Sequence, residues 1–330
     1  MKKIIHITIK ALKYIGSLLL ILLVIGIVYE QYSRWRLESK AFKGETFTEI
    51  DGAKIHYVKK GIGNKTIVFV SGMGSNSSIW AEIQDKTYPN AVTISYDRSG
   101  LFLSEKREGT ITNQSVSKEL AQLLEQTNCP KPYILVLHSM AGIYIRPFIE
   151  QHKKDIAGIM LMESAHPLQL KKSSAAFLES LKPPPLSLVK FLTFSGAYRS
   201  LFSFNRINPE IPIEHAIHKN ERDFFYRSVE TLYDELKNDD ANFEDAGNSN
   251  NFGNIPLTVI TGTSNIRTEA IPNPKVKEEY MQLVHDLHRD FLNLSTDSKL
   301  VEAKNSGHVV QVSEPDLIVR EIHALLKRNN

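Results

Sequence analysis

The chain has 330 residues and a formal charge of +3, which leaves room for one large or two small domains and too little positive charge for a nucleic-acid binder. Its single cysteine, Cys129, excludes an internal disulfide and has no ligand partners for a metal site. It has no Gly-rich phosphate loop, dinucleotide fingerprint or internal repeat, so neither a metal nor an organic cofactor is expected.

The first element differs in kind from the rest. Tyr14 to Tyr29 carries no charge and is dominated by Leu, Ile and Val, between Lys13 and Glu30. The run is slightly short of the ~20 residues that cross a bilayer unaided. Lys10, Lys13, Arg34 and Arg36 can snorkel to extend it, and Tyr14, Tyr29, Tyr32 and Trp35 suit interfacial anchoring. A cleaved signal peptide is the competing reading, but no small-residue cleavage site follows. Lys2, Lys3, Lys10 and Lys13 favour a cytoplasmic N-terminus and an extracytoplasmic remainder. Residues 1–36 are therefore expected to form a single-pass signal-anchor helix with its flanks. Gln31 to Lys43 is polar and charged, and residues 37–46 are expected to be a tether.

Phe47 to Val58 reads as a hairpin turning at Asp51-Gly52. Thr66–Val70 and Val92–Tyr96 read as strands, and Val116, Leu120, Leu123 and Leu124 space a helix that ends near Gln126. Tyr133 to Leu137 is a continuous apolar run. It meets Ser139 and passes through Ala141-Gly142 into the helical pattern Ile143 to Ile149. A strand that stops at Ser and reverses into a helix over small residues has the pattern of a nucleophile elbow. Such a turn strains the serine backbone, lifts its hydroxyl clear of the sheet and aims helix N–H groups at a developing oxyanion. Leu137 stands two residues before Ser139, where the motif prefers Gly. The bland alternative is a buried strand whose serine only caps a helix.

Ile156 to Met162 is a further strand. From Glu163 to Asn254 the chain is longer than a single crossover helix requires. This stretch holds Pro183-Pro184-Pro185, an apolar segment from Leu186 to Phe204, a helical Glu221 to Leu236 and a polar return at Asn248-Ser249-Asn250-Asn251. Leu257–Thr261 and Lys299–Ala303 read as the last strands. Ser313-Glu314-Pro315-Asp316 opens a final helix with Ser313 as N-cap. Among eleven histidines, His308 is the one on a Gly-flanked loop after the last strand, where a base can reach a serine on a neighbouring strand.

From Phe47 to Lys327 these motifs, in this order, resemble an α/β-hydrolase-fold serine hydrolase of the esterase or lipase kind. The resemblance implies an α/β fold with a mostly parallel, doubly wound sheet and its site at the strands' carboxyl ends. Residues 47–166 and 255–330 would form the hydrolase core, and residues 167–254 a helical cap. In that cap, the apolar residues of Leu186 to Phe204 and of Glu221 to Leu236 would serve either as ordinary packing of cap on core or as a hydrophobic roof over the site. Ser71-Gly72-Met73-Gly74 stands where the family has a His-Gly oxyanion loop, so the backbone N–H groups of Met73 and Met140 are the implied donors, and Ser71 replaces the usual His. Asp97-Arg98-Ser99-Gly100 resembles the family's Asp-x-Arg-Gly turn and is expected to act as a brace. His138 is expected to point away from Ser139 and pack the elbow.

In much of the family the triad acid follows the penultimate strand, a few residues past a Gly. Here that loop reads Thr261-Gly262-Thr263-Ser264-Asn265, and Asn supplies no charge. A second location in the fold follows the strand after the elbow, where Met162 runs into Glu163. Glu163 is thus the leading acid and Glu269 the reserve. The implied activity is cleavage of a small-molecule or lipid-like carboxylic ester with an apolar acyl group, through an acyl-enzyme at Ser139 with His308 as base. Acyl transfer and peptide cleavage use the same parts, whereas dehalogenases and epoxide hydrolases on this fold use an Asp nucleophile. A catalytically silent binding or sensor protein is the rival from another class, favoured by Leu137 and Asn265. A carboxylate partner is expected to move the His308 titration upward from ~6.5.

Overall fold

The computed structural model describes residues 2–269 and 271–328. Eight strands form one sheet: β1 (Thr46–Ile50), β2 (Ala53–Lys60), β3 (Thr66–Val70), β4 (Val92–Tyr96), β5 (Tyr133–His138), β6 (Ile156–Met162), β7 (Leu257–Gly262) and β8 (Ser298–Ala303), in the order β1-β2-β4-β3-β5-β6-β7-β8. The β1–β2 and β2–β4 pairs are antiparallel and the remainder parallel. Ile50 pairs with Ala53, so Asp51 and Gly52 form the two-residue hairpin turn. Strands β3, β5, β6 and β7 are buried at every position because helices cover both faces, which is why β3, β5 and β6 read as nearly continuous apolar runs. Alternate residues serve opposite layers. Ile67, Phe69, Ile134, Val136, Met160 and Met162 share one core with the helices Ala81–Thr87 and Pro315–Lys327. Val68, Val70, Leu135, Leu137, Ile159 and Leu161 share the other with Asn113–Gln126 and Arg146–His152. The chain reverses direction across the sheet between β4 and β5, which leaves a crevice at the carboxyl ends of neighbouring β3 and β5.

Two local expectations are corrected. The last helix starts at Pro315 with Glu314, not Ser313, at its N-cap. The Glu314 carboxylate is drawn instead to the Asn305 N–H (3.0 Å) and the Ser306 hydroxyl (2.6 Å), while Ser313 ends a short preceding helix and donates to Ser306 Oγ (2.6 Å). The polar segment expected as a tether is helical as far as Ala41, within one N-terminal helix, Lys2–Ala41. That helix is the one among the described residues that is long and apolar enough to cross a membrane.

The polar end stays helical because it has partners. Glu30 is only 2 % exposed and is held by Arg199 (2.6 Å) and Arg34 (2.8 Å). The two guanidinium groups outweigh burial and keep its carboxyl below the ordinary range. Arg34 also donates to the Thr193 carbonyl at 2.6 Å and lies over the Tyr226 ring. Glu38 accepts from Arg227 and Tyr226, and Leu37 and Ala41 pack against Leu101, Phe102, Leu103 and Phe224. Further back, a Cβ on Gly26 would stand 2.6 Å from the Ser195 carbonyl oxygen, so only glycine permits this backbone approach.

Arg199 and Tyr226 belong to the helices inserted between β6 and β7, which include Leu186–Phe194, Ala197–Leu201 and Ala216–Lys237. Much of the apolar segment from Leu186 to Phe204 is turned outward. Leu188, Phe191, Phe194 and Leu201, on the two helices that meet the N-terminal helix, and Phe204 just beyond them are exposed. The long helix Ala216–Lys237 lies over the core instead: Ser228 Oγ accepts from Phe102 N–H at 2.8 Å and Glu235 from Gly74 N–H at 3.0 Å.

Glu30→Ala leaves Arg199 with Asp223 as its remaining carboxylate, so the full-length chain in detergent should lose about 1–3 kcal/mol of stability, read from its thermal unfolding.

Candidate active site

Ser139 follows β5 with φ +54°, and Glu163 follows β6 with φ +49°, a left-handed conformation that costs a non-glycine residue about 1–3 kcal/mol. The β5–β6 register pairs His138 with Met162, so both residues leave adjacent strands at the same level. Ser139 N–H donates to Met162 O at 3.2 Å and Gly142 N–H to Ser139 O at 3.1 Å, which fixes the reversal into the short helix Ala141–Tyr144. Gly72, after β3, is the close neighbour: a Cβ there would lie 2.7 Å from Ser139 Cβ. Its successor Met73 and the residue after the serine, Met140, have no acceptor for their N–H groups among the described residues. Both thus remain available to an incoming oxygen.

His308 stands on the loop after β8 with Nε2 3.1 Å from Ser139 Oγ and Nδ1 3.3 Å from Glu163 Oε2. Ser139 and the His308 ring are half-buried, whereas Glu163 is fully buried. Glu163 Oε1 accepts from Gly262 N–H at 2.5 Å, and Oε2 also pairs closely with Arg267. The structure therefore brings Ser139, His308 and Glu163 together, with Glu163 at the imidazole Nδ1. Glu269 is exposed at the end of a short 3₁₀ turn, away from the imidazole's recorded partners. His138 turns away from the serine and donates from Nε2 to His308 O (2.9 Å), with the two rings 4.7 Å apart. Burial holds its titration at about 4, so at neutral pH it is uncharged and its Nε2–H is the donor.

Three other residues complete the geometry, and sequence reasoning missed two of them. Glu210, from the insertion, accepts from the consecutive N–H groups of Gly307 (3.1 Å), His308 (2.7 Å) and Val309 (3.0 Å) and so clamps the histidine loop. No local pattern marks Glu210. Arg267 lies two residues beyond Asn265, and a loop that lacks an acid yet carries a cation was the available signal. Arg98 was read as a brace, but its partner was not foreseen: it binds the Ser71 carbonyl (2.5 Å) and the buried Glu235 (2.6 Å). Ser71 Oγ accepts from the Trp80 indole at 2.9 Å and donates to the Asn76 carbonyl at 2.9 Å, so its hydroxyl braces the loop.

Residues 67–321 match the profile of the Alpha/beta hydrolase family. The chain belongs to that family. The uncharacterized protein YqjL of Bacillus subtilis is 25% identical over 279 residues, covering 84% of this chain and 90% of that one. Among solved structures of similar fold, ALR0039 of Nostoc sp. superposes with a TM-score of 0.67 at 12% identity, covering 86% of this chain and 97% of its own. The haloalkane dehalogenase DatA of Agrobacterium tumefaciens superposes with a TM-score of 0.62 at 17% identity, covering 87% and 97%. These likenesses confirm the α/β-hydrolase fold, and members with different chemistries share it.

One electrostatic expectation for this hydrolase-family chain is reversed. Burial, together with the neighbouring His138, Arg267 and His288, holds the His308 imidazole well below its ordinary range. The Glu163 charge that was expected to raise it is shared with Arg267. In an NMR titration, the resonance lost in His308→Asn should therefore stay in its neutral form below pH 6.5. Arg267→Gln removes a cation and frees Glu163, both of which favour the imidazolium, so the His308 titration should move upward.

Proposed function

We propose that this chain is a membrane-anchored serine hydrolase that cleaves carboxylic esters through an acyl-enzyme at Ser139. The observation that carries the reading is the continuous Ser139–His308–Glu163 array on a strained elbow, with two unpaired N–H groups beside it. On this reading the neutral His308 Nε2 takes the Ser139 proton as Oγ attacks the ester carbonyl carbon. Met73 and Met140 N–H receive the oxyanion. Collapse of the intermediate expels the alcohol, which takes the proton from His308. Water then repeats the sequence, and the carboxylic acid leaves with Ser139 restored. Glu163 orients the ring and stabilises the imidazolium. A serine in place of an aspartate supports ester chemistry over the dehalogenase chemistry of the neighbour DatA. The apolar helix, led by Lys2, Lys3, Lys10 and Lys13, supports an anchor with a cytoplasmic N-terminus and an extracytoplasmic hydrolase domain.

A fluorophosphonate probe should label the full-length protein stoichiometrically, and Ser139→Ala should abolish both labelling and ester turnover. His308→Ala should match that loss, on the order of 10⁴-fold. Glu163→Gln should lower turnover strongly, whereas Glu269→Gln should be nearly silent. A folded wild type that neither takes the probe nor hydrolyses esters of graded acyl length would instead indicate a silent binding protein.

Glu210 offers a separate check on positioning. Glu210→Ala frees the backbone of the histidine loop without touching the serine, so turnover should fall on the order of 10- to 100-fold. Probe labelling should slow but still reach completion, as time-resolved labelling would show.

A further inference from the structure

The exposed apolar surface of the insertion has no partner within the protein. Phe191 and Phe194 on one short helix, Leu201 on the next and Phe204 just beyond are 51%, 50%, 53% and 83% exposed. This surface adjoins the N-terminal helix at a defined height. Gly26 meets Ser195 and Gly196 backbone to backbone, Gln31 donates to the Phe194 carbonyl at 3.5 Å, and Glu30 and Arg34 bind Arg199 and Thr193. The contact therefore falls on the last turn of the uncharged run Tyr14–Tyr29 and the turn that follows. That run is ~24 Å long at about 1.5 Å per residue. Such a length is short of the hydrocarbon core of about 30 Å, so its end lies within the boundary between acyl chains and headgroups. From Leu186 to Arg206 the insertion has no acidic residue; Arg199 is held by Glu30 and Asp223 and Lys190 by Glu230, which leaves the exposed Arg206, beside Phe204, as the cation at this edge suited to lipid headgroups.

We propose that the two helices from Leu186 to Leu201, with Phe204, form a second, monotopic membrane contact that enters the interface of an anionic bilayer. The Gly26 approach and the Glu30–Arg199 pair lock this contact in register with the anchor. The inference rests on the reading of the N-terminal helix as a membrane anchor. Its consequence is geometric: the insertion packs on the loops at the carboxyl ends of the strands, so the Ser139 end of the sheet is held toward the lipid. An apolar ester dissolved in the membrane would then reach the serine without crossing bulk water.

The test uses the full-length chain in vesicles of phosphatidylcholine and phosphatidylglycerol. Phe191→Cys and Phe204→Cys are each labelled with an environment-sensitive fluorophore, the native Cys129 being buried. Lipids spin-labelled near the top of the acyl chain should quench most of the emission at both positions. A label on Ile62→Cys, exposed at the opposite, amino ends of the parallel strands, should keep its emission. Gly26→Leu drives a side chain into the Ser195 carbonyl. It should relieve quenching at position 191 while the protein still pellets with the vesicles. Labels at 191 and 204 as bright as that at 62 would overturn the proposal, as would self-quenching that grows with protein density, the mark of a second copy on this face. Failure of the wild type to pellet would overturn both the anchor and the contact, while fluorophosphonate labelling of the same samples reports separately on Ser139.

Discussion

A single buried carboxylate, Glu163, ties together the loops that follow β6, β7 and β8. A full charge in that position demands compensation, because an unpaired buried carboxylate costs far more than a hydrogen-bonded one. Gly262 N–H, Arg267 and His308 provide it from two different loops. Each is thereby fixed against the end of β6, and the β5–β6 register sets Ser139 alongside. The left-handed backbone at both Ser139 and Glu163 persists because these contacts over-determine it. The same arrangement explains the unusual electrostatics of the imidazole, since a carboxylate shared with an arginine cannot act on the ring with its whole charge.

Two more glutamates extend this logic from the core to the insertion. Glu235 takes Gly74 N–H on one oxygen and Arg98 on the other, and Arg98 in turn holds the Ser71 carbonyl. Glu210 receives the backbone of Gly307, His308 and Val309. The loops on either side of Ser139 are thus each held by an acid from the insertion, Glu235 on its long helix and Glu210 on a turn. The insertion is in turn held by the N-terminal helix through Glu30 and Arg199. A segment that precedes the whole fold is in this way mechanically continuous with the histidine loop, and its polar half is helical because it is docked.

Much of the core was legible in one dimension. Short apolar or β-branched runs bounded by turn signals suit strands covered on both faces of a parallel sheet, so β3, β4 and β6 stood out with their observed bounds and β5 to within one residue. The Ser139 elbow and the His308 loop were legible because strand, turn and helix signals are local. Glu163 was legible through its position at a strand end, once Asn265 removed the alternative. The charge-free run ahead of Glu30 marked a helix fit for a membrane, since length and lack of charge are themselves properties of a sequence.

What only the tertiary structure decided is which distant groups meet. Nothing near Glu30 announces Arg199, and nothing near His308 announces Glu210, because ion pairs and backbone clamps between segments leave no periodic trace. The segment from Leu186 to Phe204 is apolar in sequence whether it faces inward or outward. Its outward placement follows from where the Gly26–Gly196 approach and the Glu30 pair hold it. The His308 titration likewise depends on Arg267 standing beside Glu163, a charge balance set by three loops converging in space. The sequence by itself determined which elements form and which residues stand at the ends of the strands, because those are matters of local pattern. The tertiary structure determined partners, orientation and electrostatics, because these depend on distances between parts of the chain that local pattern does not encode.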